Sequence, residues 1–255
     1  MFIDRVATQL FSAPELAPLS ASLAAGEDAN LAVAQSARPL VVAATWTRDP
    51  RPCLLIVSGE EAADRVARAL SAWLGQGVVL RYPDRGDWPW SDRAADVAVI
   101  GARAHAMMHL SLGENCVVVA SARSLLRRVP PVGSGYFMPS TFAVGDELEI
   151  GDAAELLVGM GYADVGASKD VSVPGSFCLH GDSLDVFPAQ ASSPVRVEFF
   201  GDEIDRVRRM VPATGQTIGD CTDVSVLPCR EIALTHETIG RAQEALRWLD
   251  RKSVV

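Results

Sequence analysis

The sequence has no pair of cysteines at C-x-x-C spacing, and its five, Cys53, Cys116, Cys178, Cys221 and Cys229, are odd in number and far apart. That spacing suggests neither a disulfide framework nor a zinc site, and points to reduced, mostly buried thiols. No uninterrupted apolar run approaches bilayer length, and the N-terminal MFIDRVATQLF lacks the charged-then-apolar order of a secretion signal. The expected compartment is the cytoplasm, with no membrane partner. Basic residues are outnumbered, 23 Lys plus Arg against 32 Asp plus Glu, for a net charge of -9. A general grip on phosphate needs clustered cations, so direct DNA binding by this chain's own surface is not expected. Internal repeats, low-complexity tracts and coiled-coil heptads are missing as well.

Catalytic patterns are equally sparse. There is no G-x-S-x-G elbow, no G-x-G-x-x-G after a strand and no G-x-x-x-x-G-K-[ST] loop. His105 and His109 stand one helical turn apart, a spacing that can ligate metal, but no Glu or third ligand accompanies them. Asp182, Asp185, Glu198, Asp202, Glu203 and Asp205 crowd carboxylates into little sequence, and such groups can do acid-base work or hold a hard cation. A hairpin with one solvated face needs those residues anyway, and that is the reading taken here. No cofactor or metal is expected.

What is present is a 49% hydrophobic chain of 255 residues, enough to fill one large core or two modest ones. Residues 1–30 read as helical pieces broken by Pro14 and Pro18. Leu31 to Trp46 reads as strand, turn and helix, with Pro39 in the first helical turn, where its missing N–H is harmless. Cys53–Val57 is a short continuous apolar run of the kind buried on both faces of a parallel sheet. Ser58 and Glu61 form a potential capping box for the helix from Glu60 to Leu74, which carries Ala63, Val66, Leu70, Trp73 and Leu74 on one face and ends at Gly75. Val78–Leu80 completes a βαβ unit.

The loop from Tyr82 to Trp90 holds Trp88 and Trp90, which are expected to cover the end of the sheet. The nearby cations Arg81, Arg85 and Arg93 are offset by Asp84, Asp87 and Asp92. A helix from Asp92 to Leu112, a buried strand Cys116–Ala120 and a short helix from Ser121 to Val129, stopped by Pro130-Pro131, follow. Residues 132–147 are glycine-rich and suit passage into a second unit. That unit opens with a helix near Ala153 to Met160, crosses the polar stretch Gly166-Ala167-Ser168-Lys169-Asp170, and enters antiparallel strands. A last strand, Thr222 to Leu227, and a helix from Glu231 to Trp248 complete the chain.

The most informative stretch is FCLHGDSLDVFPAQASSPVRVEFFGDEIDRVRRM, from Phe177 to Met210. In Val195–Phe200 the odd positions are all apolar while the even ones are Arg196, Glu198 and Phe200, so one face is core and the other solvent. Phe200 then falls on the wet side, where an aromatic sharing a face with an Arg has the composition of an interaction hot spot. The alternative, that the pleat breaks at the Gly201-Asp202 turn and Phe200 folds back inside, is equally compatible with the spacing.

The segment GDSLDVFPAQASSPVRVEFFGDEIDRVRR resembles, without gaps, the signature of the domain inserted near the N-terminus of bacterial transcription-repair coupling factors (Mfd), of which the excinuclease B subunit (UvrB) carries a looser version. Gly161-Tyr162, the run Ser124–Pro131 and Gln35–Arg38 extend the likeness over roughly residues 16–235. The resemblance implies an α/β fold: a degenerate P-loop-NTPase-like parallel-sheet domain at 1–136, an inserted α+β interaction domain with antiparallel strands at 137–228, and a return segment of the first domain from 229 to 255. At the turn where related repair motors resemble a phosphate-binding loop, this chain offers Ala34, Gln35, Ser36, Ala37 and Arg38, without the glycines or the Lys-Ser/Thr pair, so no nucleotide binding is expected.

The function implied is a non-catalytic module that recruits the excinuclease A subunit (UvrA) in transcription-coupled nucleotide excision repair. RNA polymerase, DNA and ATP would be engaged only by later domains of the full-length translocase. The family's contact positions correspond here to Arg196, Phe200 and, in place of an arginine just before the G-D-x-L-D motif, His180. A histidine lacks the forked, charge-assisted bonds of a guanidinium, so one family ion pair is weakened. Competing readings are a truncated excinuclease B-like subunit or part of an ATP-dependent DNA translocase, and the missing phosphate loop weighs against both.

Overall fold

The computed structural model describes residues 2–88, 94–131, 134–166, 171–232 and 236–252. Trp90, Asp92, Arg93 and the polar residues 167–170 noted above lie outside them. The chain forms two compact units, Met1–Arg85 with Ala106–Arg127, and Gly86–His105 with Arg128–Val255.

The first unit contains helices α1 (Phe2–Phe11), α2 (Ala17–Ala25) and α3 (Arg38–Arg48), then strand β1 (Cys53–Val57), helix α4 (Glu60–Leu74) and strand β2 (Val79–Tyr82). The second half of α5 (Val97–Ser111) and strand β3 (Val117–Ser121) complete it. The three strands are parallel in the order β1-β3-β2, with Cys53 opposite Val117 and Val79 opposite Val117 in register. β3 is the central strand, and all five of its residues are buried. On one face Ala43, Ala63, Ala67 and Leu70 of α3 and α4 pack against Val117 and Val119. On the other, Ala106 with Met107 and Leu110 of α5 meets Leu80, Tyr82, Val118 and Ala120. Arg81 clamps β2 to α4 through Nε to Asp64 and Nη2 to Glu60, both at 2.9 Å, while its Nη1 donates to the Val119 carbonyl.

Several expectations change here. Cys53–Val57 is a strand, but Leu54 and Ile56 are exposed, 48% and 54%, because α3 and α4 cover only one face of this edge strand and α5 lies over β2 and β3. No strand forms at residues 31–34, which are mostly exposed and lead through a 3-10 turn at Gln35–Ala37 into α3. The described residues therefore lack the strand that a phosphate-loop topology needs directly before that turn. Pro39 does sit in the first turn of α3, whereas α4 starts from Gly59 with no side-chain cap, so the Ser58–Glu61 box does not form. Residues after Ser121 make only a 3-10 turn, Arg123–Leu125. Trp88 is 62% exposed.

The second unit is built on a six-stranded sheet, β10-β9-β8-β7-β6-β5, from β5 (Ala163–Asp164), β6 (Ser176–His180), β7 (Ser183–Phe187), β8 (Val195–Phe200), β9 (Glu203–Met210) and β10 (Thr217–Cys221). All neighbours are antiparallel except β5 and β6. A two-stranded sheet pairs β4 (Ser140–Ala143) with β11 (Asp223–Val226), and helix α6 (Ile150–Met160) packs with it over one face of the large sheet. The core between them holds Phe142, Ala153, Leu157, Phe177, Leu184, Val186, Val197, Phe199, Ile204 and Val226. Helix α7 (His236–Lys252) is the last element.

Three contacts lock this unit. Gly101 of α5 faces Ala189 so closely that a Cβ would lie 2.1 Å from the Ala189 carbonyl oxygen, which explains a glycine inside a helix that otherwise disfavours it. Arg103, two residues further along α5, is buried and ion-paired to buried Glu231. Gly161, left-handed at φ 94°, ends α6, and the following Tyr162 turns inward. Its hydroxyl donates to the Leu227 carbonyl at 2.9 Å and accepts from the Ala189 N–H at 3.1 Å, so a single side chain joins three segments distant in sequence.

Replacing Tyr162 with Phe leaves the Ala189 N–H and the Leu227 carbonyl buried without that partner, and chemical denaturation should register a loss of about 1–3 kcal/mol. A second expectation concerns alkaline pH. Burial pushes the Cys229 thiol from 9.0 up to about 12 and the Tyr136 phenol from 10.0 up to about 12. Both groups stay neutral in the folded chain while the unfolded chain begins to lose their protons near pH 9–10, so this stabilisation is full below that range and lost as pH rises toward about 12. Denaturation midpoints measured from pH 8 upward should fall, and Cys229→Ala should make the decline shallower.

Candidate interaction face

The outer face of the six-stranded sheet is set by the pleat of β8. Its burial alternates residue by residue: Val195, Val197 and Phe199 are buried, Arg196 and Glu198 are partly exposed, and Phe200 is 83% exposed. Phe199 is in the core, so the pleat does not break before the turn and the ring of Phe200 stands in solvent at the end of the strand. Gly201, left-handed at φ 64°, makes the tight turn, and Phe200 pairs with Glu203 across it. A bulge between Glu198 and Phe199 shifts the register of β9, so that Glu198 faces Arg206 while Phe199 faces Ile204.

Arg196 points outward as the alternation requires, but it is not a loose cation. Asp185 of β7 is its register partner, and the guanidinium forks onto that carboxylate, Nε to Oδ1 at 2.6 Å and Nη2 to Oδ2 at 2.7 Å. This bonding holds Arg196 further above its ordinary pKa, against the opposing effect of partial burial. Nη1 lies outside the pair, and 31% of the side chain remains exposed. Next along the face, Arg208 of β9 bonds Glu198 at 3.3 Å and Asp220 of β10 at 3.2 Å. In the register Arg196 and Arg208 stand opposite each other, between Asp185 of β7 and Asp220 of β10, so each guanidinium is held by a carboxylate on this face. Arg196 and Phe200 are four residues apart, about 13 Å along the strand.

His180 at the end of β6 approaches the same carboxylate from the opposite side. Its Nε2 lies 3.8 Å from Asp185 Oδ2 and 3.0 Å from Cys178 Sγ. The structure therefore gathers His180 and Arg196 around Asp185, while Phe200 stands apart.

Asp185 itself corrects the sequence reading, which grouped it with solvated carboxylates: it is buried, 2% exposed. Its end of the outer face is covered by a small apolar cluster of Val171, Cys178 and Phe187 with Val165. The signal was available in Ser183-Leu184-Asp185-Val186-Phe187, where Asp185 shares its face with Phe187, an apolar residue that asks for cover. Elsewhere, Asp182, Asp202, Glu203 and Asp205 are exposed as expected, and His109 pairs with Glu114.

Residues 141–231 match the family described as the UvrB interaction domain. The chain is 37% identical over 203 residues to a transcription-repair-coupling factor of Myxococcus xanthus, covering 77% of this chain and 17% of that protein. It is 28% identical to the transcription-repair-coupling factor of Bacillus subtilis, over 83% of this chain and 18% of the relative. The UvrABC system protein B of Thermotoga petrophila is 26% identical over 85% of this chain and 34% of its own length. The chain thus spans under a fifth of the coupling factors and about a third of the B protein. Residues 141–231 thus match a UvrB interaction domain, in a chain that is similar along most of its length to transcription-repair-coupling factors and to UvrABC system protein B.

Proposed function

We propose that this chain is the N-terminal part of a transcription-repair coupling factor and works as a non-catalytic docking module for UvrA, bringing the excision machinery to a stalled RNA polymerase. The observation that carries the proposal is Phe200, a ring 83% exposed at the tip of a strand whose alternate residues are sealed in the core, inside the region matching the UvrB interaction domain. An aromatic side chain has only two torsions to freeze when a partner covers it, and aromatic and Arg side chains dominate binding energy when desolvated. Arg196 supports the ring by presenting a guanidinium already oriented by Asp185, with one terminal nitrogen outside that pair. The complementary surface is an apolar pocket with acceptor groups about 13 Å away. RNA polymerase, DNA and ATP belong in this reading to other parts of the longer protein, and this chain alone should show no ATPase activity.

Affinity for UvrA, measured by calorimetry or biolayer interferometry, tests the assignment. Phe200→Ala removes only exposed surface, so the fold should persist while binding weakens by about 1–3 kcal/mol, roughly five- to 150-fold. Arg196→Ala also strips buried Asp185 of its fork and destabilises the domain, so Arg196→Lys, which keeps the charge without the fork, is the companion variant. Full-strength binding by the folded Phe200→Ala chain would refute the docking role of this ring.

A further inference from the structure

Besides their place on the outer face, three side chains on β6 and β7 converge in a way that docking does not use. Cys178 and His180 are two residues apart on β6 and so share a face, and Asp185 is the register partner of Cys178 on β7. Their donor atoms, Cys178 Sγ, His180 Nε2 and an Asp185 carboxylate oxygen, all lie within 4.8 Å of one another. Two of the separations are 3.0 Å, between Sγ and Nε2, and 3.8 Å, between Nε2 and Oδ2. Around a tetrahedral zinc ion, ligand atoms at ordinary bond lengths stand roughly 3.3–3.6 Å apart, which these values bracket. Sulfur, imidazole nitrogen and carboxylate oxygen are the donor types zinc accepts. Strand pairing holds all three backbones, so little reorganisation is needed.

We infer that Cys178, His180 and Asp185 form a binding site for a single zinc-type divalent cation, with three protein ligands and a fourth position on the partly exposed His180 side. Cys178 releases its thiol proton to solvent and binds as thiolate, and neutral His180 uses Nε2. Asp185 keeps its fork to Arg196 while Oδ2 turns a second lone pair to the ion, a carboxylate having room for both. One thiolate, one carboxylate and one guanidinium leave the occupied cluster at +1, against -1 when a thiolate and carboxylate face Arg196 without the ion. Cys178 and Asp185 are buried, and His180, whose side chain is 33% exposed, is the way in. This inference stands independently of the docking reading.

Cobalt(II) is the probe, because thiolate coordination gives it a charge-transfer absorption in the near ultraviolet. Titrating the reduced chain with cobalt chloride should produce that band, saturating at one equivalent, and zinc chloride should abolish it by displacement. His180→Ala, a change at a partly exposed position, should weaken cobalt binding by more than about tenfold, the loss that follows even when an outer partner of a metal ligand is removed. Cys178→Ser should abolish the thiolate band, and if that variant fails to fold, His180→Ala decides alone. The absence of a stoichiometric band, or an undiminished band in His180→Ala, which would arise from the other four cysteines, overturns the site and leaves a simple hydrogen bond between thiol and imidazole.

Discussion

Asp185 carries a charge in a place that excludes water, and a carboxylate so placed is tolerated only with a partner that meets both of its oxygens. The partner is Arg196, and the register of β7 against β8 is what brings the two face to face. A slip of one residue in that pairing would turn Arg196 into the core and Val197 outward, losing the ion pair and the hydrophobic contact together. The same register leaves Phe200 at the solvent end of β8. The fork and the exposed ring are therefore consequences of one pairing.

Much of this was written in the alternation of Val195–Phe200, where three inward apolar residues and three outward ones leave little freedom for the strand. β3 was legible for the complementary reason: an unbroken apolar run at the centre of a parallel sheet is buried on both sides. The same logic misjudged β1, because composition does not reveal which strand is at the edge, and Leu54 and Ile56 look identical whether or not a helix covers them. Leu31–Ala34 has the composition of a strand but no neighbouring strand takes it up.

At the face itself, the alternation put Arg196 and Phe200 outward and the family resemblance added His180, each as a separate position. Their grouping about Asp185 depends on which residues of β6, β7 and β8 stand opposite each other, information that is pairwise across strands and absent from any single segment. His180 puts an imidazole next to Cys178 and beside a carboxylate that already holds one guanidinium. The two readings meet at Asp185, whose carboxylate both orients Arg196 and lies beside His180 and Cys178.

The central claim is that a partner covers the ring at the tip of β8, and contact at that position can be read directly. Phe200 can be replaced by the photo-crosslinking analogue p-benzoylphenylalanine, with the same analogue at Ile218 on the sheet edge, 65% exposed, as a reference. Irradiation in the presence of UvrA should give a covalent adduct from position 200 and little from 218. An adduct from 218 with none from 200 would contradict the account.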